Sequence, residues 1–167
     1  METAGMASDD FEFLYGEWHV RNRKLRDTTD PDCTEWVEFD ATAEVYPVLD
    51  GIGHIDRMLV PDAPDGGGFE GFTLRLYEPG ADLWRIWWSS TRFPGVLDTP
   101  VEGRFTDGHG VFEADFELRG APARERFEWI TSDPEHPHWQ QSFSLDDGAT
   151  WQPPNWHMHL TRRTARA

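Results

Sequence analysis

Along most of the chain, apolar and polar residues alternate in short stretches rich in β-branched and aromatic side chains. Clusters of Gly, Pro and Asp interrupt them roughly every eight to fifteen residues. Period-two alternation is the mark of a strand with one buried and one wet face. It predicts strands over 17–26, 34–46, 53–60, 69–78, 83–91, 101–107, 110–118, 123–130, 138–145 and 155–163. Helical spacing occurs once, where Asp9 or Asp10 caps a turn or two carrying Phe11, Leu14 and Tyr15 and Gly16 stops it. Residues 1–8 are small and polar without period, which predicts a disordered tail ahead of a single domain over 9–167. The Pro61–Gly68 run is expected to be the most flexible connection, and no linker or long repeat divides the chain.

Cross-strand arithmetic tests this reading. If Asp107–Gly110 turns a hairpin pairing Thr106 with Val111, Phe105 meets Phe112, Gly103 meets Ala114, and Arg104 meets Glu113 on the other side. Through Arg119–Pro122, Glu117 falls opposite Arg124 and Asp115 opposite Arg126, while Ala114 meets Phe127 and Phe112 meets Trp129. Around Glu78–Asp82, Phe72, Leu74, Leu76, Trp84, Ile86 and Trp88 are expected on one face, with Thr73, Arg75, Arg85 and Trp87 on the other. The two arginines there would neutralise outer carboxylates or capture an anion. No helix is available to cover so long an apolar face. Closing the antiparallel meander into a barrel of about ten strands hides that face and removes both sheet edges, with the early helical turn plugging one end.

Charge narrows the function classes. The 167 residues carry 15 Lys+Arg against 31 Asp+Glu, a net charge of −16, which argues against nucleic acid and anionic membranes as partners. No apolar run approaches the roughly 18 residues that span a bilayer, and the start of the chain lacks a secretion-signal layout, so a cytoplasmic location is expected. Cys33 is the single cysteine, which excludes an internal disulfide and a cysteine-based zinc cage. Nine Trp and eleven Phe can form a flat-walled cavity suited to planar, conjugated or cationic organic molecules. Nucleophile elbow, phosphate loop, dinucleotide fingerprint and metalloprotease helix are all missing from the sequence.

The opening Phe13-Leu14-Tyr15-Gly16-Glu17-Trp18 resembles the FLxGxW start of bacterial calycin-like domains, relatives of lipocalins and nitrobindins. Similar stretches are Cys33–Asp40, Leu49–Asp56, Thr73–Glu78, Leu83–Trp88 and Ser142–Trp156, so the resemblance spans nearly the whole chain. It implies a calycin or lipocalin-like barrel, and leaves function open because such barrels carry lipids, bind heme or run unrelated chemistry. A nitrobindin-like heme would take its ligand from the last strand, where His157 or His159 stands, although only one glycine of the nitrobindin GxWxGxG opening is kept. Ser144-Leu145-Asp146-Asp147-Gly148-Ala149-Thr150-Trp151 is similar to the Asp-box of sialidases, and is read as a hairpin stabiliser.

Several residues offer chemistry. On the last strand His157 and His159, two residues apart on one face, could offer two imidazoles to one metal or act in the lumen, but Trp156, Met158 and Leu160 form the apolar register, which turns both outward. His136-Pro137-His138 reads as loop, no His-x-x-x-His or acidic cluster accompanies either pair, and no metal is expected. Glu125 and Gln141 fall in the inward register, the first as a rim residue or as a pocket carboxylate whose burial suits it to acid–base work. His54 and Asp56 share a face, either as a wet side or as a proton-polarising pair. The expected binding walls are Trp36, Trp88, Phe112, Phe127, Trp129, Trp139, Gln141 and Trp156.

The function expected first is binding of a small hydrophobic or aromatic organic molecule without a cofactor. One alternative is a cofactor-independent isomerase or cyclase of bacterial secondary metabolism using Glu125, His54 or His157. The other is nitrobindin-like heme binding. A homodimer through the outer face is compatible with any of these.

Overall fold

The computed structural model describes residues 7–163. Ten antiparallel strands form one closed barrel: β1 (Gly16–Leu25), β2 (Trp36–Val48), β3 (Gly53–Val60), β4 (Phe69–Glu78), β5 (Leu83–Ser90), β6 (Val101–Thr106), β7 (His109–Leu118), β8 (Ala121–Ile130), β9 (His138–Ser144) and β10 (Trp156–Arg162). Each strand pairs with its successor, and β1 closes on β10 with Trp18 opposite Arg162 and Val20 opposite Leu160. The meander therefore has no free edge. Among the described residues no helix is long and apolar enough to cross a membrane.

A 3₁₀ helix, Ala7–Leu14, precedes β1 and plugs one end. It takes in residues 7 and 8, and the rest of the expected tail lies outside the described residues. Phe11 is fully buried, 5.0 Å from both the Trp84 and Phe105 rings and 5.8 Å from Phe112. Trp18 Nε1 donates to the Leu14 carbonyl at 2.7 Å. From the far side of the closure, Arg162 donates to the Tyr15 and Phe13 carbonyls at 2.7 and 3.0 Å and lays its guanidinium 4.2 Å from the Trp18 ring. The FLxGxW segment and the last strand thus fasten the plug together.

Two hairpins are tighter than the sequence reading expected. Asp107 and Gly108 both have positive φ (51° and 76°), as do Arg119 and Gly120 (49° and 80°), so each turn uses only two residues in the mirror-image conformation that matches strand twist. Thr106 pairs with His109, Gly103 with Phe112 and Arg104 with Val111; further on, Phe112 pairs with Phe127 and Glu113 with Arg126. Each register shifts by two residues, which preserves every face. The ionic outer side survives with different partners: Arg124 to Asp115 at 3.1 Å and Arg126 to Glu113 at 3.2 Å.

The hairpin between β4 and β5 differs more deeply. Glu78 pairs with Leu83, and the four residues between them set odd positions of β4 beside even positions of β5. Thr73 therefore pairs with Trp88 and Arg75 with Ile86 on the inner face, while Leu74 pairs with Trp87 and Leu76 with Arg85 outside. The expected grouping of Phe72, Leu74 and Leu76 with Trp84, Ile86 and Trp88 is overturned, as is the Arg75–Arg85 pair. Arg85 instead meets Glu78 and Glu102 on the outside.

The segment after β9 closes as a tight turn. The Asp146 carboxylate accepts from the Thr150 backbone N–H at 2.8 Å, and Ser144 Oγ accepts from the Gly148 N–H at 2.9 Å. Hydrogen bonds donated to it by the Thr150 hydroxyl, the Thr150 backbone N–H and Ser144 Oγ hold the Asp146 carboxyl down to about 2, and Trp151 packs under the Arg126 guanidinium at 3.9 Å. The loop 61–68 is tied to the loop after β5 by a bidentate Arg92–Asp65 pair at 2.6 and 2.7 Å.

Candidate functional site

Between the plug and the opposite end lies a cavity of about 240 Å³. Its floor includes Leu14, and its walls include Trp88, Phe127, Trp129, Trp139, Trp156 and Met158. Their positions follow from strand parity: Phe127 and Trp129 on β8 register with Gln141 and Trp139 on β9, and those with Trp156 and Met158 on β10. Trp139 meets the Phe127 and Trp156 rings edge-on at 5.1 and 5.6 Å, the geometry aromatic quadrupoles favour. Trp88 lies across β4 because Gly71 has no side chain; a Cβ there would sit 2.0 Å from the indole.

Polar groups interrupt this wall at two levels. Low in the cavity, Arg75 is 4% exposed and its Nη2 donates to Asp56 Oδ2 at 2.6 Å. Its Nε and Nη1 are buried without a hydrogen-bond partner. The guanidinium lies 5.1 Å from the Phe11 ring and 6.0 Å from that of Trp129, with Thr73 on the same inner face. A buried charged donor with two open nitrogens is costly unless something accepts from them.

Higher up, Glu125 lines the cavity with Asp98 and Thr99, which the loop after β5 supplies. Burial, helped by the Asp98 charge, pushes the Glu125 carboxyl up to about 7. Gln141 is buried, lines the cavity and donates through Nε2 to Asn155 Oδ1 at 3.0 Å. Trp156 is oriented by Asn22, whose Oδ1 accepts from its Nε1 at 3.0 Å.

The three residues expected to carry catalysis lie in three places. Glu125 is in the cavity wall. His54 is fully buried at the plug, 4.8 Å from the Trp84 ring and 5.1 Å from Tyr15, and does not line the cavity. Burial and the Arg75 charge lower its pKa to about 4, only partly opposed by the Gly51 backbone, and neither ring nitrogen has a well-formed hydrogen bond. Asp56, paired with His54 in the sequence reading, instead serves Arg75. His157 lies outside the barrel with His159, because Trp156, Met158 and Leu160 face the lumen.

Among the described residues no histidine ring lines the cavity, so a lumenal heme would find no imidazole from His157 or His159. Two of the expected walls also move. Trp36 stands on the outer surface, under the Arg23 guanidinium at 3.9 Å and 5.9 Å from His157, because Val37, Phe39 and Ala41 supply the inward register of β2. Phe112 belongs to the plug, where the Phe11 and Phe105 rings cover it.

Arg75, Thr73, Asp98 and Thr99 were not expected in the site. Counting the residues in the Pro79–Asp82 turn would have placed the first two, since an even turn exchanges the parity of the strands it joins. Asp98 and Thr99 sit in a loop without periodic signal. His138, where the expected strand 138–145 begins although the His136-Pro137-His138 run reads as loop, starts β9 and stacks 4.3 Å from His159 on the outer wall.

No family profile matches this sequence, and no curated protein does. Among solved structures the fold is similar to that of the S-type phycobiliprotein lyase CPES from Guillardia theta, at 13% identity and a TM-score of 0.61. The match covers 98% of this chain and 96% of that one. That likeness establishes a lipocalin-like barrel over the whole described chain.

Proposed function

We propose that the barrel binds a small, planar, uncharged organic molecule, with its ring system between the tryptophan walls and an oxygen acceptor turned toward Arg75. The observation that carries this reading is the buried guanidinium with two unsatisfied nitrogens, Nε and Nη1, at the base of an aromatic cavity. A carbonyl or hydroxyl oxygen satisfies those donors. A carboxylate suits the site less, because Asp56 already balances the Arg75 charge and Asp98 adds a further acid. The small volume selects compact ligands over long acyl chains. A likeness in fold to a phycobiliprotein lyase agrees with an organic ligand inside the barrel, without naming it.

The test is a titration of the full chain with neutral aromatic ketones, quinones and polyphenols, with fatty carboxylates as the contrast. Tryptophan fluorescence and melting temperature are the readouts. Neutral aromatics should quench and stabilise. Replacing Arg75 by Met together with Asp56 by Asn, so that no charge is orphaned, should weaken binding about 10–100-fold, as expected for loss of hydrogen bonds from a charged donor. A panel that neither quenches nor stabilises would sink the proposal.

A second reading rests on Glu125. Near neutral pH it is present both as acid and as base at the edge of the same cavity. That suits proton transfer in a cofactor-independent isomerase or cyclase. In that case Glu125→Gln would keep ligand quenching and abolish turnover of the bound compound.

A further inference from the structure

We propose that His138, His157 and His159 form a site for a divalent first-row transition-metal ion on the outer wall of the barrel, separate from the cavity. The register of β9 and β10 builds it. His159 stands directly opposite His138, and His157 is two residues along β10 on the same outward face, opposite Gln140. Direct cross-strand neighbours and next-but-one neighbours on a strand are the closest positions a sheet surface offers for three side chains. The ligating nitrogens of the three rings lie within 4.8 Å of one another. An ion about 2.0–2.1 Å from each would hold them roughly 3.3 Å apart, so the stacked rings must turn about their side-chain bonds until their in-plane lone pairs converge. His138 Nε2 and His157 Nδ1 are already 2.9 Å apart, one donating and one accepting, and the rings are nearly parallel, at 18° and 11° to His159.

The surroundings fit a cation held by neutral imidazole. Trp36 covers one side of His157 and fixes that ring. Glu128 lies opposite Gln140, accepting from its Nε2 at 3.1 Å and contacting His109 Nε2 at 2.7 Å, so a carboxylate borders the cluster. Arg23 is the opposing charge, and its guanidinium is drawn over the Trp36 ring at 3.9 Å. His159 is exposed while His138 and His157 are half-buried, which leaves a coordination position facing water. Three imidazoles without thiolate select Zn²⁺, Cu²⁺ or Ni²⁺ over Mg²⁺ or Ca²⁺. In the sequence His157 and His159 show only as a two-residue pair; the pairing of β9 with β10 adds His138 as the third imidazole.

The test uses the untagged full chain. Calorimetric titration with Zn²⁺ should show one equivalent bound, and Co²⁺ should give the intense visible bands of a low-symmetry, four-coordinate ion. His159→Ala alters an exposed side chain and leaves the fold intact; it and His138→Ala should each weaken Zn²⁺ binding by at least about 10-fold. Cu²⁺ should quench a component of the fluorescence that Trp36→Phe removes. Unchanged Zn²⁺ affinity in both histidine variants, or no binding by the parent protein, would overturn the proposal. Neither result would touch the lumenal binding reading, which depends on Arg75 and the inner walls.

Discussion

Glu125 is an acid whose pKa rises on folding to about 7, through burial first and the Asp98 charge second. For such a group the stabilising contribution is complete below the ordinary carboxylate range and is lost as pH rises through the folded value. Glu125→Gln keeps the shape and removes the titration. The variant should match the parent at pH 4 and exceed it at pH 8 by on the order of 1–3 kcal/mol, measured by urea unfolding at both pH values. Equal stabilities at pH 8 would mean that the carboxylate is solvated. Alternation alone put Glu125 and Gln141 on the inner face, since each shares parity with the rings beside it. The same rule, applied to Val37, Phe39 and Ala41, would have sent Trp36 outward. Counting it among the walls let residue type override position. No rule of spacing could have found Asp98, which reaches the cavity from an irregular loop.

At the scale of elements, strand positions were legible almost to the residue, because Gly, Pro and Asp clusters mark each break. What failed was the inner and outer assignment of β4. Its apolar residues Phe72, Leu74 and Leu76 lie outside, where Leu74 continues a row from Tyr46 and Ile55 to Trp87, while Thr73 and Arg75 go in. A hydrophobic pattern reports the lumen only when the outer face is polar, and here it is not. The plug was legible as a helical turn, but its fastening was not, since Arg162 lies about 150 residues from the carbonyls it holds. Arg162→Ala removes two charge-assisted hydrogen bonds and the contact with the Trp18 ring. It should destabilise the protein by about 2–4 kcal/mol in chemical unfolding. It should also speed amide exchange in Ala7–Leu14 more than in β7 and β8, whose pairing it does not touch. Uniform acceleration across the barrel would contradict the view that Arg162 acts through the plug.

The chain carries 31 acidic and 15 basic residues, and among the described residues a closed barrel with a largely apolar interior sends nearly all of the charged side chains to the surface. Salt then acts in two opposite ways. It screens ion pairs such as Arg124 with Asp115 and Asp147 and Arg92 with Asp65, each of which is solvent-exposed and contributes little. It also screens repulsion among the acids, which exceed the basic residues by 16. The pairs act over a few ångströms with partial shelter from solvent, whereas the repulsion acts across the whole surface and is cut off once the screening length falls to about 10 Å at 0.1 M and 3 Å at 1 M. Long-range repulsion is the more sensitive of the two. Raising NaCl from low millimolar to 0.5 M at pH 7.5 should therefore increase the melting temperature, with most of the gain below about 0.15 M. The acid at the cavity wall adds to the same trend, since screening of Asp98 relieves Glu125. A melting temperature that falls steadily with NaCl would show that the surface pairs, and not the excess of carboxylates, dominate the electrostatics of this barrel.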